Sequence, residues 1–249
     1  MKILALGNSF SQDATTFLYQ SARAQGIDLT VVNLYIGGCS LERHWRNFET
    51  GEPAYQYQLN GGFTGRMVGV QEVLEEDDWD VVITQQCSPD SGWLDSYEPF
   101  LTQILAKFRA AAPNATLLLH ETWAYEVDST HAAFPRYSRS QQEMYGRLHA
   151  CYHAMAEKHG VGLIPSGEII QHVRTLPPFD VSAGGRSLCR DGFHMSYGYG
   201  RYLLGCIWLR TLCGADAAQN PYIPACEEIT DDALLPILRQ AANQAAVLV

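Results

Sequence analysis

Two short polar stretches have residue types and spacing that suit nucleophilic catalysis. The first is GNSFS at residues 7–11, where Ser9 follows a short apolar run and precedes a helical pattern. A serine hydroxyl is exposed at that position, and the N–H groups of the helix face any anion that forms there. The second is RDGFHMS at residues 190–196, where Asp191 and His194 are three residues apart. A carboxylate at this spacing can accept the histidine Nδ1–H, which leaves Nε2 free as a base.

Each stretch also has a plainer interpretation. Ser9 or Ser11 can simply cap the helix that follows. Asp191 can likewise cap the next helix beside a surface histidine, so an isolated Asp-x-x-His pair predicts little by itself. The case for chemistry depends on where the two stretches lie relative to other polar residues.

Two further features follow strand-like runs. Gly37 and Gly38 come after the second run, where they permit close backbone approach and can present an N–H donor, or can form only a turn. Gln85 and Gln86 come after the third run, where one amide could donate to an oxyanion or stabilise a turn. Because all these features fall at strand ends or directly before the last helix, together they predict one site.

The apolar patterns predict five strands separated by helices. The strands are expected at residues 3–6, 29–35, 80–84, 115–119 and 162–165. This alternation predicts a parallel sheet with right-handed crossovers, in a single α/β domain that spans the whole chain. In such sheets ligands bind beyond the carboxyl ends of the strands, where the polar features above fall.

Three segments interrupt the alternation, and we expect each of them to form a wall of the site. They are residues 44–66, 124–137 and 174–190. The first is rich in aromatic residues, which with a few polar groups suit stacking on sugar rings but equally suit a small local core. The candidate substrate-binding residues are Arg43, His44, Trp45, Gln85, Trp123 and Tyr125.

The composition of the chain indicates which classes of partner and which cellular compartment to expect. The formal net charge is −10 and no run of Lys or Arg occurs, so we expect neither a nucleic-acid nor a membrane partner. Only four apolar residues follow Lys2 before Gly7, which is too short for the core of a signal peptide. The seven cysteines include no CxxC pair, so we expect no disulfide framework and a cytoplasmic location.

A cofactor or metal ion is not expected from the sequence. His149 and His153 are four residues apart on a predicted helix and could share a metal ion, but no third ligand is apparent. No GxSxG, P-loop or GxGxxG motif occurs, which disfavours the α/β-hydrolase, NTPase and dinucleotide-binding classes.

In its motifs and their order the chain resembles the SGNH, or GDSL-type, esterase superfamily. GNSFS resembles the first sequence block, where GDS is commoner, Gly37-Gly38 the second, and DGFHMS the last. The resemblance is closest to a divergent DUF4886-like branch, which carries GNSFS, a Gln-Gln-x-Ser third block and a Thr-Trp-Ala stretch, here ETWAY at 121–125. It implies the SGNH hydrolase fold, a flavodoxin-like three-layer α/β/α sandwich with about five parallel strands.

The resemblance also implies roles for individual residues. Ser9 would be the nucleophile, His194 the general base and Asp191 the residue that orients the base. The backbone N–H groups of Ser9 and Gly38 would bind the oxyanion. The usual third block, Gly-x-Asn-Asp, is absent, and the aligned stretch reads TQQCSPD. Gln86 is our first choice for the third oxyanion donor, and Gln85 is the second.

The predicted function is hydrolysis of a carboxylic ester on a small molecule or an oligosaccharide. An O-acetyl group on a sugar is favoured, mainly because the superfamily contains many carbohydrate acetylesterases. A lipase or thioesterase would use the same residues with an apolar acyl groove. A non-catalytic carbohydrate-binding module of this fold would keep the aromatic residues and not need the triad.

Overall fold

A seven-stranded sheet lies at the centre of the molecule, in the order β4-β3-β2-β1-β5-β6-β7. The computed structural model describes residues 1–248. The strands are β1 Lys2–Gly7, β2 Thr30–Tyr35, β3 Tyr55–Leu59, β4 Gly62–Val68, β5 Val81–Thr84, β6 Thr116–His120 and β7 Gly162–Ile164. Five of them, β2, β1, β5, β6 and β7, are mutually parallel. These five are the predicted strands, so the parallel α/β sheet is confirmed.

Nine α-helices accompany the sheet in the described part of the chain. They are α1 Ser9–Thr15, α2 Leu18–Ala24, α3 Leu41–Thr50, α4 Val70–Leu74, α5 Phe100–Ala111, α6 Gln141–His159, α7 Ser166–Val173, α8 Tyr199–Cys213 and α9 Leu235–Ala242. Helices α1, α2 and α9 pack against α8, whereas α3 packs against α5 and α6 lies on β6 and β7. No helix within residues 1–248 has the length and apolar character needed to cross a bilayer.

The order of the parallel strands determines where a ligand can bind. The chain passes from β1 outward to β2 and later continues from β5 in the opposite direction, through β6 to β7. Right-handed crossovers therefore place the connecting helices on opposite faces of the sheet, as in a flavodoxin-like sandwich. The direction changes between β1 and β5, which opens a crevice at their carboxyl ends. Ser9 and the residues after Thr84 lie there.

The other two strands correct the prediction of about five. Segment 44–66 does not form a wall of the site: it contains the end of α3 and a hairpin of β3 and β4 that adds antiparallel strands beside β2. The hairpin turns at Asn60 and Gly61, which both have positive φ, as a tight hairpin turn requires. The alternating sequence YQYQL before an Asn-Gly pair is the signal for this hairpin that the sequence analysis did not use.

Candidate active site

The turn from β1 into α1 exposes the Ser9 hydroxyl. Asn8, not Ser9, caps the helix, because its Oδ1 accepts the Phe10 N–H at 3.0 Å. Ser11 is buried, and its hydroxyl donates to the Asn8 carbonyl at 2.9 Å. Because Asn8 and Ser11 already make the hydrogen bonds to the backbone of this turn, the Ser9 side chain is not needed for capping. It faces the crevice.

His194 and Asp191 complete a hydrogen-bonded chain with Ser9. His194 Nε2 lies 2.8 Å from Ser9 Oγ, and His194 Nδ1 lies 2.7 Å from Asp191 Oδ2. Asp191 Oδ1 also accepts the backbone N–H groups of His194 and Phe193, at 2.8 and 3.2 Å. Partial burial alone would raise the pKa of Asp191, but these hydrogen bonds outweigh it and the pKa is lowered. An ionised Asp191 holds the proton on Nδ1, which leaves Nε2 able to accept one from Ser9.

Two backbone amides beside Ser9 are available to an oxyanion. Gly38 has φ +62°, a conformation that a side chain would strain, and it lines the same pocket as Ser9. Within residues 1–248 the N–H groups of Ser9 and Gly38 have no backbone acceptor. Asn8 Nδ2 donates to the Cys39 carbonyl at 3.0 Å and so holds the two turns together. The structure therefore brings together Ser9, Gly38, Asp191 and His194.

The pocket over Ser9 is small. Its volume is about 240 Å³, and the loops after β1, β2 and β5 form its sides, with a wall from the predicted segment 124–137. Among the described residues, the predicted segments 44–66 and 174–190 contribute none of its lining. The residues that line it are Asn8, Ser9, Phe10, Tyr35, Gly37, Gly38, Cys87, Ser88, Pro89, His131, Phe193 and His194.

Gln86 does not lie in this pocket, which corrects the first choice for a third oxyanion donor. Its side chain is buried, and its Oε1 accepts the backbone N–H groups of Leu41 and Cys87 at 3.0 and 2.9 Å. Its Nε2 donates to the carbonyl and the hydroxyl of Ser96, at 2.9 and 3.1 Å. Every hydrogen-bonding atom of the amide is thus used to join three loops.

We therefore expect Gln86→Ala to reduce stability and to leave kcat nearly unchanged. Truncation leaves buried donors and acceptors without partners, at about 1–3 kcal/mol for each group. The melting temperature should fall by about 4–8 °C for a loss of about 2 kcal/mol in a chain of this size. Thermal melts and esterase kinetics measure the two effects, with Gln142→Ala on the exposed surface of α6 as the control. A large fall in kcat at unchanged melting temperature would instead support Gln86 as an oxyanion donor.

Gln85, the second choice, positions Asn8 and does not line the pocket. Its Nε2 donates to Asn8 Oδ1 at 2.8 Å, and its Oε1 accepts from His120 Nδ1. His120 Nε2 in turn accepts from Ser166 Oγ at 3.0 Å. Burial lowers the pKa of His120 to about 3, so the ring is neutral and can make both bonds. The amide therefore fixes Asn8, the residue that caps α1 and precedes Ser9.

The predicted substrate-binding residues on α3 are also outside the pocket. His44 is fully buried against the Tyr55 hydroxyl, 2.9 Å from its Nδ1, and burial lowers its pKa to about 3. Arg43 is exposed on the outer side of the helix, and Trp45 packs on Phe48. These residues belong to the local core and the surface, because the hairpin draws their segment to the sheet edge.

Trp123 and Tyr125 support the pocket from beneath and, being fully buried, do not line it. The Trp123 ring stacks on Phe10 with centroids 4.1 Å apart, and its Nε1–H donates to the Phe193 carbonyl at 2.7 Å. It therefore holds the neighbours of both Ser9 and His194. Tyr125 Oη lies 3.0 Å from Ser88 Oγ.

Two polar side chains that line the pocket were not predicted. Ser88 follows the two glutamines and reaches the cavity that they do not. His131 accepts the Ala133 N–H at Nδ1, 3.0 Å away, so its neutral ring carries a proton on Nε2. Burial, together with the nearby His194, lowers its pKa and favours that neutral form. Ser88 is the serine of the Gln-Gln-x-Ser block, of which the sequence analysis used only the glutamines, and only the position of segment 124–137 pointed to His131.

A buried ion pair joins α1, which begins at Ser9, to the loop that carries His194. Asp13 on α1 is fully buried and pairs with Arg190 and Arg201, at 3.1 and 2.8 Å. It also accepts the Met195 N–H at 2.9 Å, directly beside His194. Asp13 lies one helical turn after Ser9, and that spacing is the signal that could have identified it.

We expect Asp13→Asn to lower both stability and activity. Breaking a buried pair leaves uncompensated charge and typically costs about 3–5 kcal/mol, and here it also loosens the loop that carries His194. The free energy of unfolding from urea titration and kcat/KM should therefore fall together. Asp28→Asn, a substitution at an exposed position, should change neither the free energy of unfolding nor kcat/KM. Unchanged activity in a destabilised Asp13→Asn variant would show that the pair does not position the loop.

Comparison with known proteins gives the relatives of this chain. A family model described as "Domain of unknown function (DUF4886)" matches residues 2–245. The crystal structure of a DUF4886 family protein from Bacteroides uniformis has 35% sequence identity and a TM-score of 0.90, covering 98% of this chain and 93% of that one. None of the curated proteins matches this chain.

Two more distant structures share the fold. A protein from Slackia heliotrinireducens, described as a candidate SGNH hydrolase, has 21% identity and a TM-score of 0.55, covering 82% of this chain and 95% of that one. A catalytic mutant of an acetylxylan esterase from Geobacillus stearothermophilus has 14% identity and a TM-score of 0.56, with coverages of 84% and 92%. These likenesses confirm the predicted SGNH hydrolase fold.

Proposed function

The chain belongs to the DUF4886 family and has the SGNH hydrolase fold, and from this premise we propose that it is a serine esterase. The observation that supports the proposal most directly is the hydrogen-bonded chain from Ser9 Oγ through His194 to Asp191, which opens into a pocket. This arrangement supplies a nucleophile, a base and a group that orients the base.

The reaction would proceed through an acyl-enzyme. Ser9 Oγ attacks the ester carbonyl carbon while His194 Nε2 takes the hydroxyl proton. The oxyanion accepts hydrogen bonds from the N–H groups of Ser9 and Gly38. Collapse of this intermediate breaks the ester bond, and His194 gives its proton to the departing alcohol. Water then attacks the acyl group with His194 again as base, and release of the carboxylic acid regenerates Ser9.

Ser88 is the residue we assign as the third oxyanion donor in place of Gln86. It lines the pocket with Ser9, and its Oγ lies 3.0 Å from the Tyr125 hydroxyl. When Tyr125 donates in that contact, the Ser88 proton is free to point into the pocket. A hydroxyl donor here would act as the missing asparagine amide does in related sites, by stabilising charge that develops in the transition state.

We propose a short acyl group, with acetyl on a carbohydrate as the preferred substrate. A volume of about 240 Å³ is below the range usual for drug-sized ligands, so it suits a small group better than a long chain. Phe10, Tyr35 and Phe193 surround the polar centre and offer apolar contacts for the acyl group or a sugar ring. The shared fold with an acetylxylan esterase is consistent with this choice.

A series of p-nitrophenyl esters tests the acyl length. We expect kcat/KM to be highest for the acetate and to fall by at least about tenfold towards the octanoate, because methylenes beyond the pocket gain little binding and lose positioning. Acetylated xylo-oligosaccharides in the same assay test the alcohol portion. Rising kcat/KM with chain length would instead identify a lipase or thioesterase. A chain that hydrolyses no ester would support the non-catalytic module.

A further inference from the structure

A second group of titratable residues lies outside the catalytic pocket. Glu121 directly follows β6, and His149 and His153 lie one turn apart on α6. One ligand atom from each residue can be chosen so that all three atoms lie within 4.8 Å of one another. His149 Nδ1 is 3.1 Å from Glu121 Oε1. The fold thus supplies the third ligand that the two histidines lacked in the sequence.

The buried Glu121 carboxylate has few hydrogen-bond partners among the residues around it. It is completely buried, and within residues 1–248 its Oε2 has no hydrogen-bond partner. The histidine that pairs with Oε1 is itself 36% exposed at its side chain. Burying a carboxylate oxygen without a partner is costly, so this atom indicates a missing ligand.

The backbone of α7 packs closely against Glu121. Gly167 donates its N–H to the Glu121 carbonyl at 3.1 Å. A Cβ at position 167 would lie 3.1 Å from Glu121 Oε1 and 2.1 Å from the Thr122 carbonyl oxygen. The close approach of this helix requires glycine, and it restricts the position of Glu121.

The donor set matches one class of metal ion. Two imidazoles at i and i+4 of a helix, together with one carboxylate, are ligands typical of Zn²⁺. We propose that Glu121, His149 and His153 bind a single Zn²⁺-like divalent ion, with water in the remaining position. His153 is exposed and His149 is half-exposed, so an ion can enter from solvent along the surface of α6.

The surrounding charge favours a cation at this place. A second carboxylate, Glu168 at the start of α7, acts electrostatically on both Glu121 and His149, so its negative charge lies close to the cluster. A divalent ion would relieve this repulsion between two carboxylates. None of the three ligands lines the pocket over Ser9, so the ion would have a structural role. It would tie α6 to the segment that leads to Trp123, the ring beneath Phe10.

Zn²⁺ binding to the full chain, after EDTA treatment and removal of the chelator, tests the proposal. We expect one Zn²⁺ per chain in calorimetry, and a rise in melting temperature of about 5–10 °C at a hundredfold excess over Kd. Co²⁺ should bind in the same place and give visible absorption bands that Zn²⁺ removes. Failure of the wild-type chain to bind either ion would overturn the proposal.

His153→Gln provides the decisive variant, because this side chain is exposed and its loss should not prevent folding. It should weaken Zn²⁺ binding by at least about tenfold, since removal even of outer-shell partners costs 10–100-fold. His172→Gln, an exposed histidine on α7 outside the cluster, should bind as the wild type does. Equal binding by His153→Gln and the wild type would assign the ion to another histidine, such as His194, and would overturn the site.

Discussion

Replacing Ser9 with alanine is expected to lower kcat by about 10⁴-fold or more and to leave the fold intact. The alanine removes the only atom that forms the bond to the acyl carbon, whereas the cap of α1 comes from Asn8 and does not change. Because the side chain faces the pocket, its loss opens no cavity in the core. Initial rates with p-nitrophenyl acetate and a thermal melt measure the two quantities.

Labelling with a fluorophosphonate identifies the nucleophile independently of the substrate. Wild-type protein should carry one adduct at Ser9, as seen by mass spectrometry of its peptides. Ser11→Ala is the matched control: it removes the bond to the Asn8 carbonyl and should reduce stability while the labelling of Ser9 persists. An adduct at another residue, or wild-type turnover by Ser9→Ala, would refute the proposed mechanism.

Replacing His194 with glutamine should be nearly as damaging, with a loss of about 10⁴-fold in kcat. Glutamine can still hydrogen-bond to Ser9 but cannot accept its proton, so the hydroxyl is no longer activated. Asp191→Asn should cost less, because this side chain only orients and stabilises the imidazole and is itself 41% exposed, so water can replace part of its effect. Steady-state kinetics of both variants show which substitution lowers kcat more.

The control for this pair is His172→Gln, which alters an exposed histidine and should retain full activity. Folded His194→Gln protein that keeps wild-type kcat would exclude His194 as the base. A larger loss for Asp191→Asn than for His194→Gln would mean that the orientation of the ring, and not proton transfer, limits the reaction.

The hydrogen-bonded cluster of Ser9, His194 and Asp191 and the parallel sheet could be predicted because both depend on local patterns. An apolar run followed by GNSFS places Ser9 at a strand end whatever the rest of the chain does. The Asp191–His194 hydrogen bond spans three residues, so its formation needs no knowledge of the tertiary fold.

The roles of the glutamines could not be predicted in this way. Gln85 and Gln86 are adjacent, and their side chains reach different partners, so their common position at a strand end does not reveal which faces the pocket. Gln86 bonds Leu41, 45 positions earlier at the start of α3, and Ser96, 10 positions later, and no local pattern indicates either partner. Gln86 accepts hydrogen bonds from buried backbone N–H groups, and the sequence does not show which N–H groups lack another acceptor.

The aromatic segment was misplaced for a related reason. Its composition suited a binding wall and a local core equally, and the alternation that decides between them extends over only five residues, Tyr55–Leu59. The buried groups Asp13 and Glu121 were missed because a carboxylate in an apolar neighbourhood is recognised only when its partners are known. Asp13 is neutralised by residues about 180 positions later in the chain.

The ion pair of Asp13 has a consequence for the order in which the site is assembled during synthesis. Ser9 and His194 are separated by 185 positions in the sequence, so a ribosome completes Ser9 long before it makes His194. Closing so long a loop costs chain entropy that only tertiary contacts can offset, and here they are the packing of α8 on α1 and the pairing of Arg190 and Arg201 with Asp13. A nascent chain that has not yet reached residue 194 contains Ser9 without the histidine that bonds its hydroxyl. The hydrogen-bonded chain of Ser9, His194 and Asp191 therefore forms only when the early and late parts of the polypeptide have met.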